Sequence, residues 1–283
     1  MKVEPLIFTR MLYVDFNQNF SVCPSSDFDK AWARSKINPS LRDVENLQGK
    51  IRRVAAAKGD MCIAGISGNI EDIVKNIFGE SQADTEKFFR DFKRRKIKCF
   101  IGYISKGEGI PAVSDKDLWN FFKDNMTNIW ERETPETISV DYKTFESKPA
   151  VSQPEGSEKI SDVICYGGGN DELIWKWCIS QKLDFCSNVN QYDILKDGKY
   201  KVIAASQNVI NRLKNEVVKE TPKEEKIAAP KIKEPVVTEK FSDDSPTQKK
   251  TPLKSKKTSM LPIAAVAVAA ILITVIIFLI VNH

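Results

Sequence analysis

Apolar and polar positions alternate along the chain in short segments that change period from strand to helix several times. Residues 6–16 (LIFTRMLYVDF) read as a strand of mixed burial, and residues 27–35 as a short capped helix or turn. Residues 50–57 and 61–66 are apolar runs on either side of Lys58-Gly59-Asp60, a hairpin-turn signal. In residues 70–78, Ile70, Ile73, Val74 and Ile77 fall on one helical face. A further helix is predicted over residues 84–95, with Phe88, Phe89 and Phe92 on its apolar side. Residues 97–104 (IKCFIGYI) are the clearest central strand. Ser114 is placed to cap a helix running to Trp130, whose stripe is Leu118, Trp119, Phe122, Met126 and Ile129. Residues 137–145 alternate as one more strand.

The C-terminal third repeats the rhythm. A strand over residues 162–166 leads through Gly167-Gly168-Gly169-Asn170 into a helix over 171–181. A strand over 200–205 leads into a helix over 207–217. Such alternation predicts an α/β fold with a mixed, partly parallel sheet. Segments 62–78, 163–179 and 202–217 share one plan, an apolar strand, a small-residue turn containing Asn, and an amphipathic helix. Good βα-loop chemistry explains the likeness, and duplication of an ancestral unit is the alternative.

Composition shifts then divide the chain into an N-terminal α/β domain over 1–146, a Pro- and Ser-containing spacer over 147–158, and a small βαβα module over 159–217. Residues 218–260 are rich in Lys, Glu, Pro, Thr and Ser and read as a disordered linker. From Glu216 to Ser259 the tether would span about 35–40 Å if flexible. Residues 261–281 (LPIAAVAVAAILITVIIFLIV) carry no charge, and as a helix they would extend roughly 31 Å, the depth of a bilayer's hydrocarbon core. The expectation is a single-pass tail anchor. Lys249, Lys250, Lys254, Lys256 and Lys257 precede it without an acid among them, which predicts a cytoplasmic N-terminal region, a C-terminus across the membrane, and contact with the membrane surface.

The net charge of +5 equals the contribution of those five lysines, so charge makes no case for a nucleic-acid partner. The six cysteines show no metal-ligand spacing and are expected as free thiols. His283 is the only histidine, which removes histidine bases, Ser-His dyads and histidine metal sites from the region before the anchor. Carboxylate pairs remain (Asp115 with Asp117, Glu131 with Glu133, Asp171 with Glu172), and helix caps or solvated charges account for them.

Two sets of candidate functional residues are left. The strand-to-helix loops offer Gly167, Gly168, Gly169, Asn170, Ser206 and Asn208 to a small-molecule ligand. Asp171 and Glu172 in the first turn of one helix would repel a phosphate there, which leaves the Ser206 loop as the better anion site. Trp175 and Trp177 lie two apart on a helix and point to different faces, so one is a candidate anchor for a cytosolic protein partner. The leading expectation is a tail-anchored adaptor or sensing module with no catalytic residues, no metal and no cofactor. A membrane-tethered enzyme or nucleotide-responsive sensor using the Gly/Asn loops is the alternative. A component of a bacterial stress or defence pathway is the third.

Overall fold

The computed structural model describes residues 1–14, 18–25, 27–80 and 83–220. The expected linker beyond residue 220, the five lysines before residue 261 and the apolar segment 261–281 lie outside the described residues. Among the described residues no helix is long and apolar enough to cross a membrane.

The chain begins with strands β1 (Lys2–Thr9) and β2 (Asn19–Pro24) and helix α1 (Lys30–Ser40). The hairpin follows, β3 (Arg52–Lys58) and β4 (Met61–Asn69), and then α2 (Ile70–Phe78) and β5 (Lys98–Lys106). Next come β6 (Ile110–Pro111), α3 (Asp115–Met126) and the short strands β7 (Ile138–Val140), β8 (Lys143–Thr144) and β9 (Ser147–Lys148). The last third comprises β10 (Ser157–Ile160), β11 (Val163–Tyr166), α4 (Asp171–Ser180), β12 (Phe185–Val189), α5 (Tyr192–Gly198), β13 (Val202–Ala205) and α6 (Gln207–Glu220).

Eleven of these strands form one sheet in the order β10-β11-β13-β12-β3-β4-β5-β1-β2-β7, with β8 paired to β1. The strands β11, β13 and β12 are mutually parallel, and β2 and β7 form the other parallel pair. The remaining ladders of the sheet are antiparallel, so the protein is a mixed α/β fold with a partly parallel sheet. The two regions either side of residues 147–158 share this sheet, joined where β12 pairs with β3 (Phe185 opposite Ala55, Cys186 opposite Val54).

Helices cover both faces, so the central strands are buried on both sides and read as continuous apolar runs. One face buries Val3, Ile7, Ala64 and Ile101 under α2, α3 and α4. The other buries Leu6, Phe8, Ile63 and Phe100 under α1, α5 and α6. Alternate residues of one strand thus enter opposite cores. At the centre Gly65 stands opposite Gly102. A Cβ on either would fall within 2.7 Å of the Phe100 ring, so the ring lies on bare backbone.

Local chemistry explains several boundaries. Asp29 accepts from the Trp32 amide at 2.9 Å and caps α1. Ser114 and Asp117 form a reciprocal capping box at α3. Gly79 ends α2 in the left-handed region at φ 81°. The structure differs from expectation at residues 84–95, which are not one α-helix. A 3-10 helix (Ala83–Phe88) is followed by a tight turn around Asp91. Residues 137–145 break into β7 and β8 instead of one strand, and β2, β10, β12 and α5 are additional elements.

Candidate functional site

The carboxyl ends of β11, β12 and β13 all point to one end of the sheet, because the three are parallel. The chain leaves β11 through α4 onto one face and leaves the adjacent β13 through α6 onto the other. Neighbouring parallel strands whose connections diverge in this way leave a crevice between their first turns, the usual ligand position in open α/β sheets. Here that crevice measures about 350 Å³. Gly167 and Gly168 form one wall, Ala205 and Ser206 another, Asn188 and Asn190 a third, and residues 46–50 close the side.

Two loops that are some forty residues apart in sequence, around Gly167 and around Ser206, therefore meet at one place. Gly169, Asn170 and Asn208 are exposed nearby and do not line the crevice. Backbone conformation explains Gly168 and Gly169, at φ 101° and 83°, and Asn170 follows at 55°. Gly167 is different. Its φ is ordinary, and a Cβ there would meet nothing within 4 Å, so neither strain nor crowding requires glycine.

Sequence reasoning missed the amide and cation wall, whose members come from distant segments. Asn188 donates to the Ile51 carbonyl at 2.8 Å and to Asp171 Oδ2 at 2.9 Å. Asp171 Oδ1 is buried without a hydrogen-bond partner among the described residues. Burial is the main influence on this carboxyl and raises its pKa, against the pull of Ser187, Arg53, Lys50 and Asn188.

Behind the wall lies Arg52, fully buried, with no carboxylate paired to it among the described residues. Its guanidinium donates to the carbonyls of Ser40 (2.8 Å), Arg42 and Asn188 (3.2 Å) and to Asn190 Oδ1 (2.8 Å). Burial pulls its pKa down, yet a guanidinium stays protonated. One rigid fork thus fixes the end of α1, the segment after it, and the two asparagines of the crevice. Arg53, next in sequence, turns to the opposite face and makes a two-pronged ion pair with Asp115 (2.8 and 2.7 Å). It also stacks over the Trp175 ring at 5.1 Å.

The expected partner anchors are both interior. Trp175 is 3% exposed and Trp177 is 6% exposed, in the same core. The Trp175 indole donates to the Val54 carbonyl at 2.7 Å and so binds α4 to β3. The divergence of two positions on one helix does place them on different sides. Both sides are covered because α4 packs against the sheet and also meets β6. Leu173 is the large apolar residue that this helix exposes.

The carboxylate pairs resolve into structural roles where partners are seen: Asp115 on Arg53, Asp117 in the α3 cap, Glu172 on Lys176. All six cysteines are buried free thiols. Burial raises the Cys62 and Cys186 pKa to about 12 and that of Cys165 to about 11. No group of acidic, Cys or His side chains among the described residues is arranged to hold a metal. Against known protein families, characterised proteins and solved structures, the chain finds no match.

Proposed function

We propose that the chain is a membrane-tethered sensing module whose α/β body binds a small polar ligand in the switch-point crevice. The observation that carries this reading is the meeting of the Gly167–Gly168 and Ser206 loops at the divergence of β11 and β13. The volume falls within the roughly 300–1,000 Å³ range of small-molecule sites. Four amide side chains, Asn46, Gln48, Asn188 and Asn190, stand in the lining. Asn46 and Gln48 each carry a donor and an acceptor, Asn188 offers its amide oxygen and Asn190 its amide nitrogen, a set suited to the edge of a nucleobase or to sugar hydroxyls. An anionic group on the ligand is favoured toward α6, whose first turn has no acid, and toward Lys50. Asp171 and Glu172 disfavour it at α4. The ligand class is therefore nucleoside-like, with at most a small charge.

The membrane tether is proposed from sequence, from the apolar run 261–281 and the five lysines before it. A protein adaptor is the second reading. It loses the surface first assigned to it, because Trp175 and Trp177 are buried.

A panel of nucleosides and nucleoside monophosphates, followed by thermal unfolding and calorimetry, tests the ligand proposal. One member at a hundredfold its Kd should add about 2.7 kcal/mol of stability. Gly167→Leu, which projects a side chain into open space at the crevice, should weaken that binding at least tenfold without lowering the unligated midpoint. Absence of any shift across the panel, with no small molecule released from denatured native protein, would overturn the proposal.

A further inference from the structure

The tight turn that replaces the expected helix over residues 84–95 presents an unusual surface. Asp91, whose side chain is fully buried, accepts from the amides of Lys93 (2.9 Å) and Arg95 (2.8 Å) and from Arg95 Nε (2.7 Å). It also pairs with Arg10 at 3.2 Å. The Phe92 amide is held by the Leu12 carbonyl at 3.2 Å. A fixed turn therefore projects Phe92, Lys93 and Arg94 outward, all three exposed.

Phe92 is 46% exposed, and beside it stands Tyr13 at 45%, their ring centroids 6.1 Å apart. Two large aromatic rings paired in water are costly unless something covers them. Between Lys87 and Lys98 the sequence has seven cations and one carboxylate, and that carboxylate is the buried Asp91. The cations of the adjoining cleft, Arg10, Arg42, Arg95, Lys96 and Lys98, are each paired with a carboxylate (Asp91, Asp197, Asp91, Glu71 and Glu45), so the positive charge offered outward is that of the turn itself. Exposed aromatic rings flanked by Lys93 and Arg94 suit an anionic bilayer surface: the rings enter the headgroup region and these two side chains meet lipid phosphates and carboxylates.

Strand register fixes where this surface lies. Asn69 at the end of β4 is opposite Lys98 at the start of β5, and Arg52 at the start of β3 is opposite Ser67. The turn before β5 and the crevice beside Arg52 are thus at the same end of the sheet. The β3–β4 hairpin with Lys58 is at the other end.

We propose that the Phe92–Arg94 turn, with Tyr13, docks on a membrane surface rich in anionic lipid. The inference builds on the proposed tether, which would keep a bilayer within reach, and the surface chemistry stands without it. Docking would turn the crevice end of the sheet toward the bilayer.

Lysine labelling of the full chain on vesicles tests this, read by mass spectrometry. Vesicles of phosphatidylcholine alone are compared with vesicles containing one quarter phosphatidylserine. Lys93 labelling should fall several-fold on the anionic vesicles only. Lys58, half-exposed at the far end of the sheet, should label equally on both. Arg94→Glu combined with Phe92→Ser should abolish the difference and leave the unfolding midpoint unchanged, since both side chains are exposed. Equal Lys93 labelling on the two vesicle types overturns the proposal. Protection by inositol hexakisphosphate or duplex RNA without vesicles, matching that on anionic lipid, also overturns it, because the site would then take a soluble polyanion. Flotation separates the two ideas. Failure to float with pure phosphatidylcholine sinks the tether, whereas Arg94-dependent flotation with anionic vesicles supports docking either way.

Discussion

Asp91 and Asp171 show how neighbours decide the state of a carboxyl that burial alone would neutralise. Burial pushes both upward. At Asp91 the backbone and guanidinium donors of Arg95 and the charge of Arg10 outweigh it and hold the pKa below the usual range. At Asp171 the pull of Ser187, Arg53, Lys50 and Asn188 is weaker than the effect of burial, so burial prevails. A raised pKa means that the folded protein holds the proton more tightly than the unfolded chain. Its contribution to stability is full below the ordinary value of 3.8 and is lost as pH rises through the raised folded value. Asp171→Asn should therefore raise the urea midpoint at pH 7, and the gain should disappear toward pH 3. Urea titrations of both proteins across that interval check the sign. A loss of stability at pH 7 would mean that the ionised carboxylate is an asset at the α4 N-terminus.

Elements whose signal is local were legible, and elements set by distant partners were not. The helix over 70–78 and the strand–turn–helix passages around Gly167 and Ser206 follow from apolar period and small turn residues alone. β12 (FCSNV) carries two polar residues in five, and what makes it a strand is its place between β13 and β3. Ser187 is buried there because its hydroxyl accepts from the Arg53 amide at 2.8 Å, a partner that no local pattern reveals. Residues 84–95 mislead for another reason. Three phenylalanines at helical spacing suggest one apolar face, yet the Asp91 side chain competes for the backbone amides that a helix would use. The glycine loop was legible in position and ambiguous in purpose, and its three residues should separate under substitution. Gly168→Ala places a side chain at φ 101° and should cost roughly 1–3 kcal/mol. Gly167→Ala, with ordinary φ and open space, should be within about 0.5 kcal/mol of the parent, as for surface changes. Equal costs in chemical denaturation would show that Gly167 is also a structural residue.

At the scale of the whole molecule, the two sequence regions share one sheet, and the proposed tether would set where that sheet works. Two different forces could bring the body to a membrane. An apolar helix spanning the hydrocarbon core is insensitive to salt, because its transfer energy comes from burying carbon. Docking through Lys93 and Arg94 would be electrostatic, and at 1 M salt the screening length falls to about 3 Å. The full chain should accordingly stay with membranes in both high salt and alkaline carbonate. A chain ended after residue 217 should bind only vesicles containing anionic lipid, and should leave them in high salt. Protease added to sealed vesicles with the cytosolic face outward should then cut the linker and release the α/β body. Full protection of residues 1–215 would reverse the orientation that the lysines predict. Extraction of the full chain by carbonate would show that residues 261–281 do not span, and would leave the charged turn as the sole contact with the bilayer.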